Sequence, residues 1–284
     1  MTEASLKLIL KTRHFKCLTK ATVEIHTLTC HRHIFMYLLA IKSLLRFNDH
    51  ISVVVHDDGS LTKEDESLLK EHIEGILIIK RSLADRQIDE ILKNYPVLRE
   101  YRKNLLILIQ ALDYVLLSRS EKIISLDSDT IFLKKPERLI KWAFNDNKEM
   151  LHLYDQRPHG QKRMLSRLGL SYPPHFCAGL FFYYKVIIDL PRIEYLLTRI
   201  KRADWFISQN ILSILVHQPG GYKVGPLDTK DYQDGNSIRE GAVFRHYWSS
   251  VMGTGWYNPR SAWHKFNNSR VYGRDCKQVL RELT

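Results

Sequence analysis

An α/β protein with a mixed, mostly parallel sheet and helices on both faces is what this sequence predicts. Strand-like runs alternate with amphipathic segments from residue 22 onward, and polar clusters recur where those strands end: Thr27–His31, Asp57–Gly59 and Asp127–Asp129. Ligands of open α/β sheets sit beyond the carboxyl ends of strands, so the clusters predict a site as well as a fold.

The elements follow in order. TVEIHTLT (22–29) reads as a strand, HIFMYLLAIKSLLRF (33–47) as an amphipathic helix, and the β-branched ISVVV (51–55) as a second strand ended by His56-Asp57-Asp58-Gly59. Thr62 with Asp65 gives an N-cap-like box before DESLLKEHI, and ILII (76–79) makes a third strand. Apolar residues at helical spacing over Leu105–Leu117 predict one helix leading into the strand before Asp127, with Pro136 opening another directly after it. MLHLY (150–154) and FCAGLFFYY (176–184) read as strands, 187–201 and 204–217 as helices, and AVFRHYW (242–248) as a late strand. The tail from 249, with Trp256, Pro259 and Trp263, reads as irregular. The organisation expected is one domain over 1–284, its core at about 22–250 and a C-terminal extension at 251–284.

At 284 residues, 44% hydrophobic and 26% charged, the composition is that of an ordinary globular chain. Its apolar runs fall well short of the ~20 residues that cross a bilayer. The first 20 residues carry no small-residue cleavage site after their short apolar patch, so no secretory signal is expected. Cys17, Cys30, Cys177 and Cys276 are scattered without CxxC or Cys/His spacing and read as reduced thiols, which places the chain in the cytoplasm. A net charge of +12 suits a nucleotide donor, a phosphorylated acceptor or the inner face of an anionic membrane. Nucleic acid is disfavoured, because no aromatic-basic motif of an RNA-recognition type accompanies the charge.

The segment EKIISLDSDTIFLKKPERL (121–139) is the most informative in the chain. Asp127 and Asp129 flank Ser128 between two apolar blocks, and on an extended backbone they would face the same side roughly 6.5–7 Å apart. A carboxylate pair at that spacing suits one hard cation, Mg²⁺ or Mn²⁺, holding a diphosphate. The haloacid-dehalogenase phosphatases also place two aspartates beyond a strand. They need Thr or Val two residues after the second, whereas Thr130 follows Asp129 at once.

With these motifs in order, residues 22–250 resemble the GT-A nucleotide-sugar glycosyltransferases, most closely glycosyltransferase family 8, which includes glycogenin and bacterial lipopolysaccharide galactosyltransferases. The resemblance implies the Rossmann-like GT-A fold and a donor site. Thr27 and Thr29 would contact the nucleotide, with Asp57 and Ser128 nearby, and Phe35 or Tyr37 would stack on the base in place of Ile34. Lys103 in YRKNLLILIQ matches the family's donor-reaching basic residue, with Arg86 a second candidate. Cys177-Ala178-Gly179 is similar to the family's Asn-Ala-Gly, whose glycine lets the sugar approach the backbone, and ISQNILSIL (207–215) to its Asp-Gln-x-Ile-Leu, with Gln209 against the sugar and Ser208 in place of Asp. His246 resembles the histidine that completes the metal site with Asp127 and Asp129, which favours Mn²⁺ over Ca²⁺. The Lys-Pro-Trp that follows in the family is missing here.

The function so implied is transfer of a sugar from a nucleotide-diphosphate donor, a UDP-sugar being favoured, to a hydroxyl of a glycan, glycolipid or protein. The resemblance implies retaining chemistry, with which the lack of an outstanding carboxylate base agrees; Asp155 and Asp204 are the candidates if the reaction inverts. The alternatives are a nucleotide-sugar-binding module with weak turnover and a basic nucleic-acid-associated protein.

Overall fold

The computed structural model describes residues 7–146, 148–156, 166, 168–170, 175–200, 206–218, 220–234, 239–247 and 265–284. The described strands are β1 Val23–Thr29, β2 Ser52–Asp57, β3 Leu77–Ile79, β4 Lys122–Leu126, β5 Thr130–Phe132, β6 Glu149–Tyr154, β7 Phe176–Tyr184, β8 Lys223–Pro226, β9 Tyr232–Asp234 and β10 Phe244–His246, besides a two-residue bridge between Phe15–Lys16 and Ile73–Glu74. The helices are α1 Ile34–Leu45, α2 Lys63–His72, α3 Arg81–Ile91, α4 Pro96–Asn104, α5 Leu108–Ala111, α6 Asp113–Leu116, α7 Glu137–Phe144, α8 Leu190–Arg199, α9 Ile207–Leu215 and α10 Lys265–Leu283.

Seven strands form the main sheet in the order β8-β6-β7-β4-β1-β2-β3. Every pairing in it is parallel except those of β7, which runs antiparallel to both β4 and β6. β1, β2 and β4 therefore end on the same edge, and Thr29, Asp57 and Asp127 come together there as expected. A second sheet, β9-β10-β5, stands beside that edge, with β10 antiparallel to β5 so that His246 pairs with Thr130.

Burial on both faces explains the strands' apolar character: every residue of β2 and β4 is buried. One apolar cluster, around α1, Trp142, Phe132 and Phe244, fills one side, and a second, around α5, α9 and Phe181, fills the other. The Thr62–Asp65 capping box is formed in both directions.

Two expectations need correction. The stretch Leu105–Leu117 is not one helix: it breaks at Leu112 (φ −114°, ψ −61°) into α5 and α6. Asp113, the first residue after the break, belongs to a buried ion pair. Arg102 of α4 donates to both oxygens of Asp113, at 2.8 and 2.6 Å, and to Asp85 at 2.7 Å. The tail is not irregular throughout either, since 265–283 form the long helix α10. Its Tyr272, Cys276, Val279, Leu280 and Leu283, spaced for one helical face, are buried in the cluster that contains α1.

Beneath the sheet edge lies a buried polar chain. Glu24 accepts from Ser118 Oγ at 2.6 Å and from the Arg119 N–H at 2.9 Å, and pairs with His26 Nε2 at 3.2 Å. His26 shares a 2.8 Å hydrogen bond with His56 in turn. Burial holds both imidazoles below their ordinary range. The same burial opposes ionisation of Glu24, but its hydrogen bonds to His26, Ser118 and Arg119 outweigh it and bring the carboxyl down to about 2. A carboxyl depressed in the folded state stabilises fully above its unfolded value and loses that contribution as pH falls through its folded one. Glu24→Gln is therefore expected to remove up to about 3 kcal/mol at neutral pH and to flatten the fall in melting temperature from about pH 5 to about pH 2. Melting scans of both proteins across that range check it; parallel curves would refute the assignment.

Candidate active site

The site begins at the end of β4. The backbone turns through Asp127-Ser128-Asp129, so the two carboxylates converge through a tight turn and not through strand alternation. Three bonds fix the turn: Asp127 N donates to Gly179 O at 3.0 Å, Thr130 Oγ1 to Asp127 O at 2.7 Å, and Tyr247 N to Asp129 O at 3.0 Å. The last of these ties the turn to the chain just beyond β10, and His246 arrives between the carboxylates. Its Nε2 lies 3.5 Å from Asp127 Oδ2 and 3.3 Å from Asp129 Oδ1, while Nδ1 lies 3.3 Å from Asp234 Oδ1.

Gly179 makes room for that ring. A Cβ there would stand 2.6 Å from His246 Cε1, so the glycine's missing side chain is filled by imidazole and not left open to a sugar.

Burial pushes the His246 imidazole down, but the charge of Asp129 and hydrogen bonds to Asp129, Asp234 and Cys177 outweigh it and hold the ring well above its usual range. Burial raises the Asp127 carboxyl; Asp129 and Asp234 add to this, while His246 and Gln110 oppose it. Three carboxylates thus crowd one imidazole. Asp127, Asp129 and His246 place one ligand atom each within 4.8 Å of one another. Two carboxylate oxygens and an imidazole nitrogen are a donor set that fits Mn²⁺ or Mg²⁺.

Two residues that the sequence reading passed over complete the cluster. Gln110 of α5 donates through Nε2 to Asp127 Oδ1 at 2.8 Å, and accepts at 3.5 Å from Ser208, which is thus a buried rung of α9 and not its cap. The signal for Gln110 was a polar residue inside the apolar run 105–112. Asp234, at the end of β9 beside His246, carried only the signal of an acid at a strand end.

Gln209 lies next to this cluster. Its Nε2 approaches Asp155 Oδ2 at 3.4 Å, and its Oε1 accepts from Ala178 N at 3.3 Å, which brings Gln209, Asp155 and the Ala178-Gly179 segment together. Asp155 is buried. Thr27 and Thr29 are buried at the end of β1, and their hydroxyls have no hydrogen-bond partner among the described residues. Ser128 is buried in the turn.

Other expected residues are engaged elsewhere. Asp57 accepts from Gly59 N at 2.7 Å and Leu61 N at 3.1 Å, closing a turn in which Gly59 has φ +103°. Tyr37 is fully buried in the core and cannot stack on a base, while Phe35 is partly exposed. Lys103 lies exposed at the end of α4, and Arg86 lines a surface depression with Leu83, Leu116 and Leu117; no hydrogen bond or ion pair among the described residues joins either to the carboxylates. Asp204 lies outside the described residues.

The sheet order, the antiparallel β7 and the carboxylate turn beyond β4 define the GT-A glycosyltransferase fold. Among solved structures the chain is similar to the apo form of mouse xyloside xylosyltransferase 1, with 10% identity and a TM-score of 0.54 over 84% of this chain and 99% of that one. It is also similar to the galactosyltransferase LgtC in complex with donor and acceptor sugar analogues, at 13% identity and TM-score 0.51 over 92% and 96% of the two chains. The glycosyltransferase GlyE of Streptococcus pneumoniae TIGR4 matches at 13% and 0.51, over 93% of this chain and 63% of GlyE. No protein-family model and no curated protein sequence matches the chain.

Proposed function

We propose that the chain is a metal-dependent glycosyltransferase that moves a sugar from a nucleotide-diphosphate sugar, a UDP-sugar being favoured, to an acceptor hydroxyl with retention of configuration. The observation that carries this reading is the convergence of Asp127, Asp129 and His246 at the sheet edge of a GT-A fold, with Gln209 and Asp155 beside them. Asp127, Asp129 and His246 would hold Mn²⁺ or Mg²⁺, which when bound supplies Lewis-acid stabilisation to a leaving nucleoside diphosphate. Gln110 orients Asp127, and the Gln209 amide, fixed by Ala178 N and Asp155, offers a polar surface to the sugar. LgtC has also been solved as an active-site mutant in which a glutamine is replaced by glutamate.

The same reading takes 1–284 as one domain with α10 an integral part, and takes the acceptor to be a glycan, glycolipid or protein. No described helix is long and apolar enough to cross a membrane. A cytoplasmic location with peripheral contact to an anionic membrane face belongs to the proposal on the strength of the +12 charge, and sedimentation with anionic and neutral vesicles tests the contact.

The deciding experiment is thermal shift with UDP, GDP, CDP and ADP, each with and without Mn²⁺, on the wild type and on Asp129→Ala. A ligand that binds only the folded chain raises the melting temperature by mass action. A Mn²⁺-dependent rise with one nucleotide that disappears in the variant is expected; no rise with any of them sinks the reading.

Gly179→Ala supplies a second check. The new Cβ would displace the His246 ring, and the Mn²⁺ affinity is expected to fall about 10- to 100-fold, the loss typical when a metal ligand is no longer held in place. Unchanged Mn²⁺ binding in a folded variant would show that the ring position is not required.

A further inference from the structure

His246 faces a second donor set through its other ring nitrogen. Nδ1 lies 3.3 Å from Asp234 Oδ1 and 3.7 Å from Cys177 Sγ. The three ligand atoms fall within 4.8 Å of one another, and all three residues are buried. They are held by three different strands: Cys177 by β7, Asp234 by β9 and His246 by β10. A zinc ion bound at about 2.3 Å to sulfur and about 2.0–2.1 Å to nitrogen and oxygen, at tetrahedral angles, sets S···N about 3.5 Å and N···O about 3.3 Å apart. Both spacings at Nδ1 are close to those edges. A thiolate ligand also separates this set from the all-oxygen-and-imidazole set on the other side of the ring, because sulfur selects soft cations.

We propose that Cys177, Asp234 and Nδ1 of His246 form a second cation site, selective for thiophilic divalent ions such as Zn²⁺ and Cd²⁺, that competes with Asp127 and Asp129 for the shared imidazole. On binding, the Cys177 thiol releases its proton to solvent and its sulfur bonds to the ion as thiolate. The His246 ring, held protonated among its carboxylates, likewise releases its Nδ1 proton to solvent, donates the lone pair so freed to the ion and keeps its other proton on Nε2. A neutral imidazole has one such lone pair, so Nε2 no longer serves as a ligand on the carboxylate side. The competition rests on the donor-metal reading given above, whereas binding at Cys177 does not.

The test is a Co²⁺ titration of the full chain with the carboxylate side disabled by Asp127→Asn and Asp129→Asn, followed by Zn²⁺. Expected is an intense near-ultraviolet thiolate-to-cobalt band that Zn²⁺ abolishes. Adding Cys177→Ser removes the band, and adding Asp234→Asn weakens Co²⁺ binding by about 10-fold or more. Circular dichroism melts establish that each variant is folded; if Cys177→Ser is not, Cys177→Ala and the Asp234→Asn titration decide. Absence of the band from the folded chain, or its survival without the Cys177 sulfur, overturns the site. For the competition, Zn²⁺ is expected to suppress Mn²⁺-dependent nucleotide binding in the wild type and to spare Cys177→Ser; equal suppression overturns it. A chain that shows the cobalt band but binds no nucleotide would fail the glycosyltransferase reading and leave the thiolate site standing.

Discussion

Asp127→Asn is expected to lower sugar transfer by about 10³-fold, the several kcal/mol that a correctly held divalent ion contributes to the transition state. The substitution changes little else, since an asparagine oxygen can still accept from Gln110 Nε2, now 2.8 Å from Asp127 Oδ1. Stability without metal should hold or rise. Asp127 is a partly desolvated carboxyl beside Asp129 and near Asp234, and neutralising it relieves both burial and like-charge repulsion, at the cost of a 3.5 Å pairing with His246. The check is turnover of the preferred donor together with melting scans in EDTA and in Mn²⁺. Near-wild-type turnover would remove Asp127 from the metal site, and a fall in the EDTA melting temperature would make its role structural.

Asp275→Ala should produce a large loss of stability. Asp275 is buried on α10, where its Oδ2 accepts from Arg245 Nη1 at 2.5 Å and from the Tyr247 hydroxyl at 2.6 Å. Removing one partner of a buried ion pair leaves an uncompensated charge, a cost of about 3–5 kcal/mol. Arg245 keeps Gln233 Oε1 at 3.1 Å and Arg239 O at 2.6 Å, which puts the expectation near 3 kcal/mol, or about 10 °C in melting temperature. Arg245 and Tyr247 flank His246, so the variant should also respond less to Mn²⁺, and Asp275→Asn, which keeps an acceptor for Tyr247, should fall between. A melting temperature within about 2 °C of wild type would mean that α10 does not brace β10.

Much of this architecture could be read from residues alone. FCAGLFFYY reads as a strand because it is buried on both faces, and Thr62 with Asp65 announces a helix start because its capping bonds are local. The pair Asp127 and Asp129 was legible through its spacing and apolar neighbours, and His246 through the family resemblance. Gln110 and Asp234 were not, because a lone polar residue carries no information about which partner, a dozen or more residues away, will satisfy it. The break at Leu112 escaped because local helical spacing continues across it, and the Arg102–Asp113 pairing beside it is not visible in that spacing. In α10 the apolar spacing was present, but Gly273 and five charged residues within 271–284 dilute it, and its partner α1 lies more than 200 residues earlier.

The brace between α10 and β10 bears on the order of events in folding. The ligand cluster draws on residues near 127, 234 and 246, held from 275, and each closure must overcome loop entropy before its contacts repay it. Mn²⁺ has no assembled partner in early, partly collapsed forms, so it should leave the fast refolding phases unchanged. It should act on the native state instead, by slowing unfolding, and a metal-sensitive optical signal should appear only with the last refolding phase.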